Sequence, residues 1–521
     1  MKLKHLYILI IYSLIVFTIN SPEALANSVG ISQIDSEIQL KKEQLKELEN
    51  LKRSILKAKL SGKHLKVGVA LSGGGAKGFA HIGVLKVLEE NNIPIDYISG
   101  TSMGAIVASL YATGYSPDEI EVVVKTMDWN YRLANEPLRK YVPLSEKYNS
   151  QKYFASITYD NRLNISLPKG VLTGEKSYLK LKELFWNVQN VKSFDEFSPV
   201  LRIVATDFNT GEAKTFDSGD LAKIVSASMA IPTVYDPVKI GDNVYVDGMV
   251  SRNLPVEDLF KAGADIVIAS DVGAPLVRDL NYNILTVVTK ISSYRGVEST
   301  EKQRELATII IDPNVKLENA SDFTHFDSFI SEGKIATEIK IKDIEKYDIR
   351  KEEKRTINRL PPHDVYIDKI KVINAKNMNE TVVKENLTKN IPNNFSYSEL
   401  EDLMMKLYAL SYVEKSYYHI EGSTLVVDVE EKDPNHIRVG MNYNSDIGAK
   451  LAIMTDLTKI GKFIGRTTTA EIELGEYRSL EFNNFWYYGK NNKVGFDFKL
   501  GYEELPIFIY RESLFGFSNF Y

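Results

Sequence analysis

The sequence predicts a multidomain chain: an α/β domain on a central, mostly parallel sheet, then a small α+β unit, then a partial β-barrel of transmembrane type. Three observations carry this reading. From His64 to Pro313, short Val- and Ile-rich runs alternate with amphipathic stretches, the rhythm of a parallel sheet covered by helices on both faces. After Pro361-Pro362 the rhythm becomes βααββ. From His436 onward, strands of about ten residues alternate polar and apolar positions and are rich in aromatics, which suits strands that cross a bilayer.

A length of 521 residues allows several domains. With 44% hydrophobic and 26% charged residues, the composition is that of globular protein rather than disorder. A net charge of -5 carries no basic footprint for nucleic acid. Cysteine is absent, which excludes disulfides, thiol nucleophiles and thiolate metal sites. No other metal-binding constellation stands out, so neither a metal nor a cofactor is expected.

Residues 1–26 read as a secretory signal: Lys2 and Lys4 precede apolar Leu6–Ile19, and Ala24-Leu25-Ala26 supplies the cleavage site. That apolar core is shorter than the roughly 18 residues of a spanning helix, and no later segment reaches that length. Residues 27–62 are charged and helical in character. Positions 34, 38, 41, 45, 48, 52 and 55 form a seam interrupted by Lys41 and Lys52, which fits an amphipathic helix lying on a neighbouring domain, or a short coiled coil. The α/β domain covers 63–313, with strands at Leu65–Leu71, Ile95–Ser99, Val200–Thr206 and Ile266–Ser270 and a helix in FAHIGVLKVLEENN between the first two. Residues 314–362 are charged and broken and read as a linker. Residues 363–432 place a strand at Val365–Ile373, helices at Asn379–Asn390 and Tyr397–Leu410, and strands near Tyr412–His419 and Thr424–Val429. Residues 433–521 supply about six strands, fewer than the roughly eight of the smallest single-chain barrels. The sequence is therefore expected to be a truncated form of a longer barrel-bearing chain, with several copies completing one barrel as the alternative.

Two glycine patterns and one aspartate carry the chemistry. Gly100-x-Ser102-x-Gly104 follows Ile95–Ser99 and precedes AIVASLYATG, which has helix-like composition. A nucleophile elbow requires that strand–turn–helix setting, because a corner sharp enough to expose a serine Oγ leaves no room for a Cβ at either glycine. A tight turn with a small polar residue fits the same five positions. Upstream, Leu65–Leu71 runs into SGGGAKGFAH, where Gly73, Gly74, Gly75 and Gly78 open a helix, and such turns present N–H groups to negative charge. A nucleotide phosphate loop would place Ser or Thr after Lys77, where Gly78 stands. A dinucleotide fingerprint fits Gly73-x-Gly75-x-x-Gly78 but wants an acidic residue ending the second strand, which here carries the serine instead. The loop is better read as an oxyanion hole, with Lys77 adding positive charge beside a phosphate headgroup. Histidine is the usual base for a serine. Only His81 lies near a motif, one turn into the first helix, and it reads as a packed helix residue. Asp247, in VYVDGMVSRNLP, follows a strand and precedes Gly248, so its side chain projects from a tight turn. On this motif alone an ordinary turn residue fits as well.

Taken together, GGGAKG, GTSMG and DGM in this order resemble the patatin-like phospholipases, which use a Ser–Asp dyad rather than a triad. The resemblance covers residues 64–313. It implies that Ser102 is the nucleophile and Asp247 the base. Gly73, Gly74 and Gly75, with Lys77 in the family's Arg/Lys position, would form the oxyanion loop, and Gly78, Gly100, Gly104 and Gly248 support the turns. Met249 departs from the family's usual Gly or Ala and would narrow the site. The stretch SASMAIPTVYDPV (Ser226–Val238) is similar to the family's segment before the dyad aspartate. The implied activity is phospholipase A type hydrolysis of glycerophospholipid esters through an acyl-enzyme, with no cofactor. A carboxylate is a weak base for a hydroxyl in water, but a desolvated one with a raised pKa can take the proton.

Residues 363–431 resemble a POTRA domain, and 436–521 resemble the first strands of outer-membrane barrels. The whole order is similar to the bacterial patatin-type autotransporters. That implies phospholipid membranes as substrate, the outer-membrane bilayer and the barrel assembly machinery as partners, and an enzyme domain on the cell surface, retained or released by proteolysis. The alternative is a non-enzymatic outer-membrane assembly, transport or binding protein with a degenerate patatin-like domain. Intact Ser102, Asp247 and the glycine loop argue against decay.

Overall fold

The computed structural model describes residues 65–504 except 143–151, 161, 167–168, 275–283, 348, 350–358, 360–361, 434, 445–447, 460–463 and 489–493, together with helical residues 38–39 and 41–42. The expected signal segment, almost all of the helical segment 27–62 and the last expected strand beyond 504 lie outside the described residues.

The central sheet begins with β1 (Val67–Leu71), which ends at the glycine loop. A 3₁₀ turn (Gly75–Phe79) then leads into α1 (Ala80–Glu90). β2 (Tyr97–Thr101) turns sharply into α2 (Met103–Ala112), followed by α3 (Pro117–Thr126) and the single turn α4 (Trp129–Arg132). A capping box starts α3: Ser116 Oγ accepts the Glu119 N–H, the Glu119 carboxylate accepts the Ser116 N–H, and Pro117 takes the first position. After β3 (Ala155–Tyr159), β4 (Ile165–Ser166), β5 (Gly170–Leu172) and α5 (Glu175–Leu184) come β6 (Val200–Asp207), β7 (Ala213–Phe216) and α6 (Leu221–Ser228). Then follow β8 (Thr233–Tyr235), β9 (Val238–Ile240), β10 (Asn243–Asp247), α7 (Val256–Ala262), β11 (Ile266–Ser270), α8 (Ile284–Leu306) and β12 (Ile309–Ile311).

The sheet order is β12-β11-β1-β2-β6-β10-β9, with β7 also on β6. Strands β12 to β6 are parallel, β10 and β7 pair antiparallel with β6, and β9 pairs antiparallel with β10. The expected mostly parallel sheet is thus a mixed one. Every residue of β1, β2 and β11 is buried, as strands covered on both faces must be, and this is why they read as unbroken apolar runs.

The segment 314–362, expected to be a linker, holds α9 (Phe326–Ile344). Phe329, Ile330, Gly333, Thr337 and Ile344 are buried along one stripe. A Cβ at Gly83 of α1 would strike the Ile330 carbonyl, and one at Gly333 would strike Ala80, so the two helices touch backbone to backbone. The charged exposed face of α9 hid this stripe in the composition.

The next unit comprises β13 (Val365–Ile367), β14 (Lys369–Ile373), α10 (Glu380–Asn386), β15 (Asn393–Phe395), α11 (Tyr397–Tyr408), β16 (Val413–Glu421) and β17 (Thr424–Glu431). Its sheet order is β14-β17-β16. It shares one hydrophobic core with the α/β domain. The Tyr178 and Tyr417 rings meet edge to face at 4.8 Å, and Tyr178 Oη donates to the Tyr418 carbonyl at 3.0 Å. Beyond it, β18 (Asn435–Asn444), β19 (Gly448–Lys459), β20 (Ile464–Gly475), β21 (Ser479–Tyr488) and β22 (Val494–Glu503) form an antiparallel meander. Its first strand pairs with β3, so the order runs β22-β21-β20-β19-β18-β3-β4. Among the described residues this sheet is open. Ile453, Ile472, Leu480 and Tyr502 stand in register across four strands and all are exposed. No described helix is long and apolar enough to cross a membrane.

Candidate active site

Register brings Ser102 and Asp247 together. In the β2–β6 ladder Thr101 stands opposite Val204, so Ser102 follows at the level of Ala205. In the β6–β10 ladder Asp247 stands opposite Ala205. The two residues therefore lie at one level on either side of β6. Ser102 occupies φ 54° and ψ -122° between β2 and α2, a conformation that a non-glycine residue holds only when its surroundings enforce it. A Cβ at Gly100 would strike the Gly104 carbonyl, and one at Gly104 would strike the carbonyls of Leu71 and Ser72. Both glycines are sterically required, as an elbow demands.

Asp247 is fully buried. Its Oδ1 accepts the Met249 N–H at 2.8 Å, while Oδ2 has no hydrogen-bond partner. Burial pushes the carboxyl up to about 7, against smaller lowering effects from the Met249 N–H and the nearby Ser102 hydroxyl. That hydroxyl acts on the charge but forms no hydrogen bond to Oδ2, which leaves Oδ2 open to receive a proton. Gly248 closes the turn: a Cβ there would lie 2.5 Å from the Val204 carbonyl.

The glycine loop borders the same cavity as Ser102, with a volume of about 1220 Å³. Gly73 does not serve as a donor into it, since its N–H goes to the Asn253 carbonyl at 3.2 Å and its own carbonyl accepts from Asn253 Nδ2 at 3.1 Å. The N–H groups of Gly74 and Gly75 have no acceptor among the described residues. Gly74 is extended at φ 177°, and Gly75 is the position that needs a left-handed backbone, at φ 60°. Lys77 lines the cavity but is buried, and its Nζ donates to the Lys316 carbonyl at 3.1 Å. Its charge is thus held against backbone rather than presented openly to a headgroup. Burial lowers its pKa, with Asp271 raising it and Lys316 lowering it further. Gly78 lies against Met103, the residue after the serine. His81 is buried and packed, with Nε2 2.8 Å from the Ser72 carbonyl and Nδ1 2.9 Å from Ser270 Oγ. Burial holds it down at about 4, so it is neutral and joins the ends of β1 and β11.

Residues 69–260 match the patatin-like phospholipase family. They form a patatin-like phospholipase domain. A patatin-like phospholipase domain-containing protein of Caenorhabditis elegans is 29% identical over 212 residues, 40% of this chain and 14% of its own length. A lysophospholipase of Coccidioides immitis is 30% identical over 219 residues, 42% of this chain and 12% of its own. The chain therefore spans a small fraction of these relatives. The crystal structure of VipD from Legionella pneumophila matches at 15% identity and a TM-score of 0.31, over 54% of this chain and 67% of that one.

The patatin-like domain does not enclose the cavity alone. Trp129 stacks on Phe323 with ring centroids 4.6 Å apart, and Phe323 and Phe326 join Met127, Leu133, Ile231 and Val234 as an apolar wall. Met249 lines the cavity from the turn after Asp247. On the polar side Arg304 grips both oxygens of Asp312 at 2.7 Å and one of Asp271 at 2.6 Å, and Lys316 bridges the same two carboxylates. The sequence reading missed this network, Asn253 and Phe323. The segment carrying Lys316 and Phe323 read as linker, and only its folding back over the glycine loop, where the Ala76 N–H meets the Ala320 carbonyl at 2.8 Å, gives it a place in the site.

Proposed function

We propose that the patatin-like domain is a lipid acyl hydrolase of phospholipase A type, acting on glycerophospholipid esters through Ser102 and Asp247. The observation that carries this is a strained serine and a fully buried carboxyl with one free oxygen, placed at one level across β6 beside two N–H groups that have no acceptor among the described residues. Ser102 Oγ attacks the ester carbonyl carbon as Asp247 Oδ2 takes its proton. The carbonyl oxygen becomes an oxyanion facing the N–H groups of Gly74 and Gly75, supported by the N-terminus of α2. Collapse expels the lysolipid alkoxide, which recovers the proton from Asp247, and leaves an acyl-Ser102. Water, giving its proton to the same carboxylate, then attacks the acyl carbon, and the fatty acid is released as Ser102 Oγ departs and recovers that proton from Asp247. The apolar wall suits an acyl chain. The full chain incubated with defined phospholipids should yield fatty acid and lysolipid, and Ser102→Ala should yield neither. Equal product from both would refute the assignment.

The same proposal places the chain at the outer membrane, with a POTRA-like unit at 363–432 and β18–β22 as part of a barrel inserted by the barrel assembly machinery. Supporting this are the signal-like N-terminus, the βααββ order and the sheet's division into an apolar exposed face and a polar face with paired charges such as Lys499–Glu481 and Lys450–Glu473. Protease added to intact cells should remove the patatin-like domain and spare a membrane-protected strand fragment. Resistance until the outer membrane is breached would place the domain in the periplasm.

A further inference from the structure

The stretch SASMAIP ends α6 and passes behind the site before reaching the cavity wall at Ile231. Ser228, the last residue of α6, is fully buried. Its hydroxyl accepts the Ser102 N–H at 2.9 Å and donates to the Val204 carbonyl at 2.6 Å. It thus adds one side-chain rung to the β2–β6 ladder at the point where the elbow lifts Ser102 off its neighbour. Two residues later the Ala230 carbonyl accepts the Asp247 N–H at 2.8 Å. The chain between is stiff, because the N–H of Met229 reaches the Val225 carbonyl and that of Ala230 reaches Ala227. Ile231, Val234 and Tyr235, immediately downstream, line the cavity. A single three-residue tether therefore holds the backbone of both dyad members and continues into the cavity wall.

We infer that Ser228 is a positioning residue that sets the distance between Ser102 and Asp247, an inference that rests on the hydrolase reading above. Without the hydroxyl, Ser102 N–H and Val204 C=O face each other across a dry gap and the elbow is free to shift. Displacement of about an ångström at a reacting group can cost roughly 100-fold in rate. The test compares wild type, Ser228→Ala, Ser228→Thr and Ser102→Ala by fluorophosphonate labelling rate, kcat and KM, at a temperature where melting curves show each protein folded. Ser228→Ala should lose roughly 10- to 100-fold in labelling rate and kcat with KM changed by less than about twofold, and Ser228→Thr, which keeps the hydroxyl, should recover most of the loss. Should Ser228→Ala not fold, Ser228→Cys, with its weaker hydrogen bonds, must label more slowly than Ser228→Thr. A folded Ser228→Ala or Ser228→Cys that labels like wild type overturns the tether while the dyad stands. A folded wild type that takes no label overturns the dyad and the tether with it.

Discussion

Replacing Asp247 by Asn should make the protein inactive and, in alkali, more stable. Burial holds the folded carboxyl at about 7, while in the unfolded chain it titrates near the ordinary value of about 3.9. Between those two values the folded protein binds a proton that the unfolded chain has released, so this residue's contribution to stability falls as pH rises through the window. A shift of about 3 units at 1.36 kcal/mol each amounts to a penalty on the order of 4 kcal/mol, complete once the pH exceeds about 7. Asn keeps an Oδ1 to accept the Met249 N–H and carries no charge, so the variant escapes the penalty. Thermal melts should show Asp247→Asn matching wild type at about pH 4 and exceeding it by several degrees at about pH 9. Wild-type kcat/KM on a soluble short-chain ester should climb about tenfold per pH unit below 7 and level off above. A variant less stable than wild type in alkali, or a wild-type profile flat from about pH 5 to 8, would refute a buried, neutral-range base.

Ser102→Ala should cost several orders of magnitude in kcat, on the order of 10⁴ or more, and a phosphonate label found on any other serine would count against the elbow. Because Ser102 sits at φ 54°, Ser102→Gly should be more stable than Ser102→Ala by about 1 kcal/mol, read from denaturant midpoints. Gly100→Ala forces a Cβ into the Gly104 carbonyl and should cost more than about 3 kcal/mol, or prevent folding. A near-normal melt would mean that the elbow can relax. Gly75→Ala strains a left-handed backbone against Ala320, so kcat should fall about tenfold or more with KM little changed. An effect confined to KM would move the loop's role to headgroup binding.

Ser102, the glycine loop and Asp247 were legible because each depends on local backbone shape. A glycine is written into the sequence wherever a Cβ would strike a neighbouring carbonyl, as at Gly100 and Gly104. The parts that escaped depend on register and on long-range closure. Ser228 reaches Ser102 across 126 residues, and nothing in SASMAIP distinguishes a hydroxyl that holds an N–H from one that caps a helix. Gly73 and Gly74 look alike in GGGAKG, yet only the pairing of Gly73 with Asn253 shows which N–H is already bonded. The α9 stripe was obscured by charges on its exposed face, and the pairing of β3 with β18 joins segments that carry no common pattern.

Strand direction explains how the Asp247 carboxyl comes to be buried beside Ser102. β10 enters antiparallel from beyond the end of β6, where Tyr245 pairs with Asp207, and stops two residues later with Asp247 opposite Ala205. Asp247 is therefore carried down between the layers and not out to the rim. Small and apolar neighbours such as Ala205 offer its Oδ2 no donor, and desolvation is left as the dominant influence on its charge. The serine arrives at the same level on a parallel strand, by way of a corner that only glycines permit. One sheet thus brings the Ser102 hydroxyl to the cavity wall from one direction and the dry Asp247 carboxyl to the same level from the other, and in the proposed dyad burial, rather than a histidine or a third residue, raises that carboxyl to about 7.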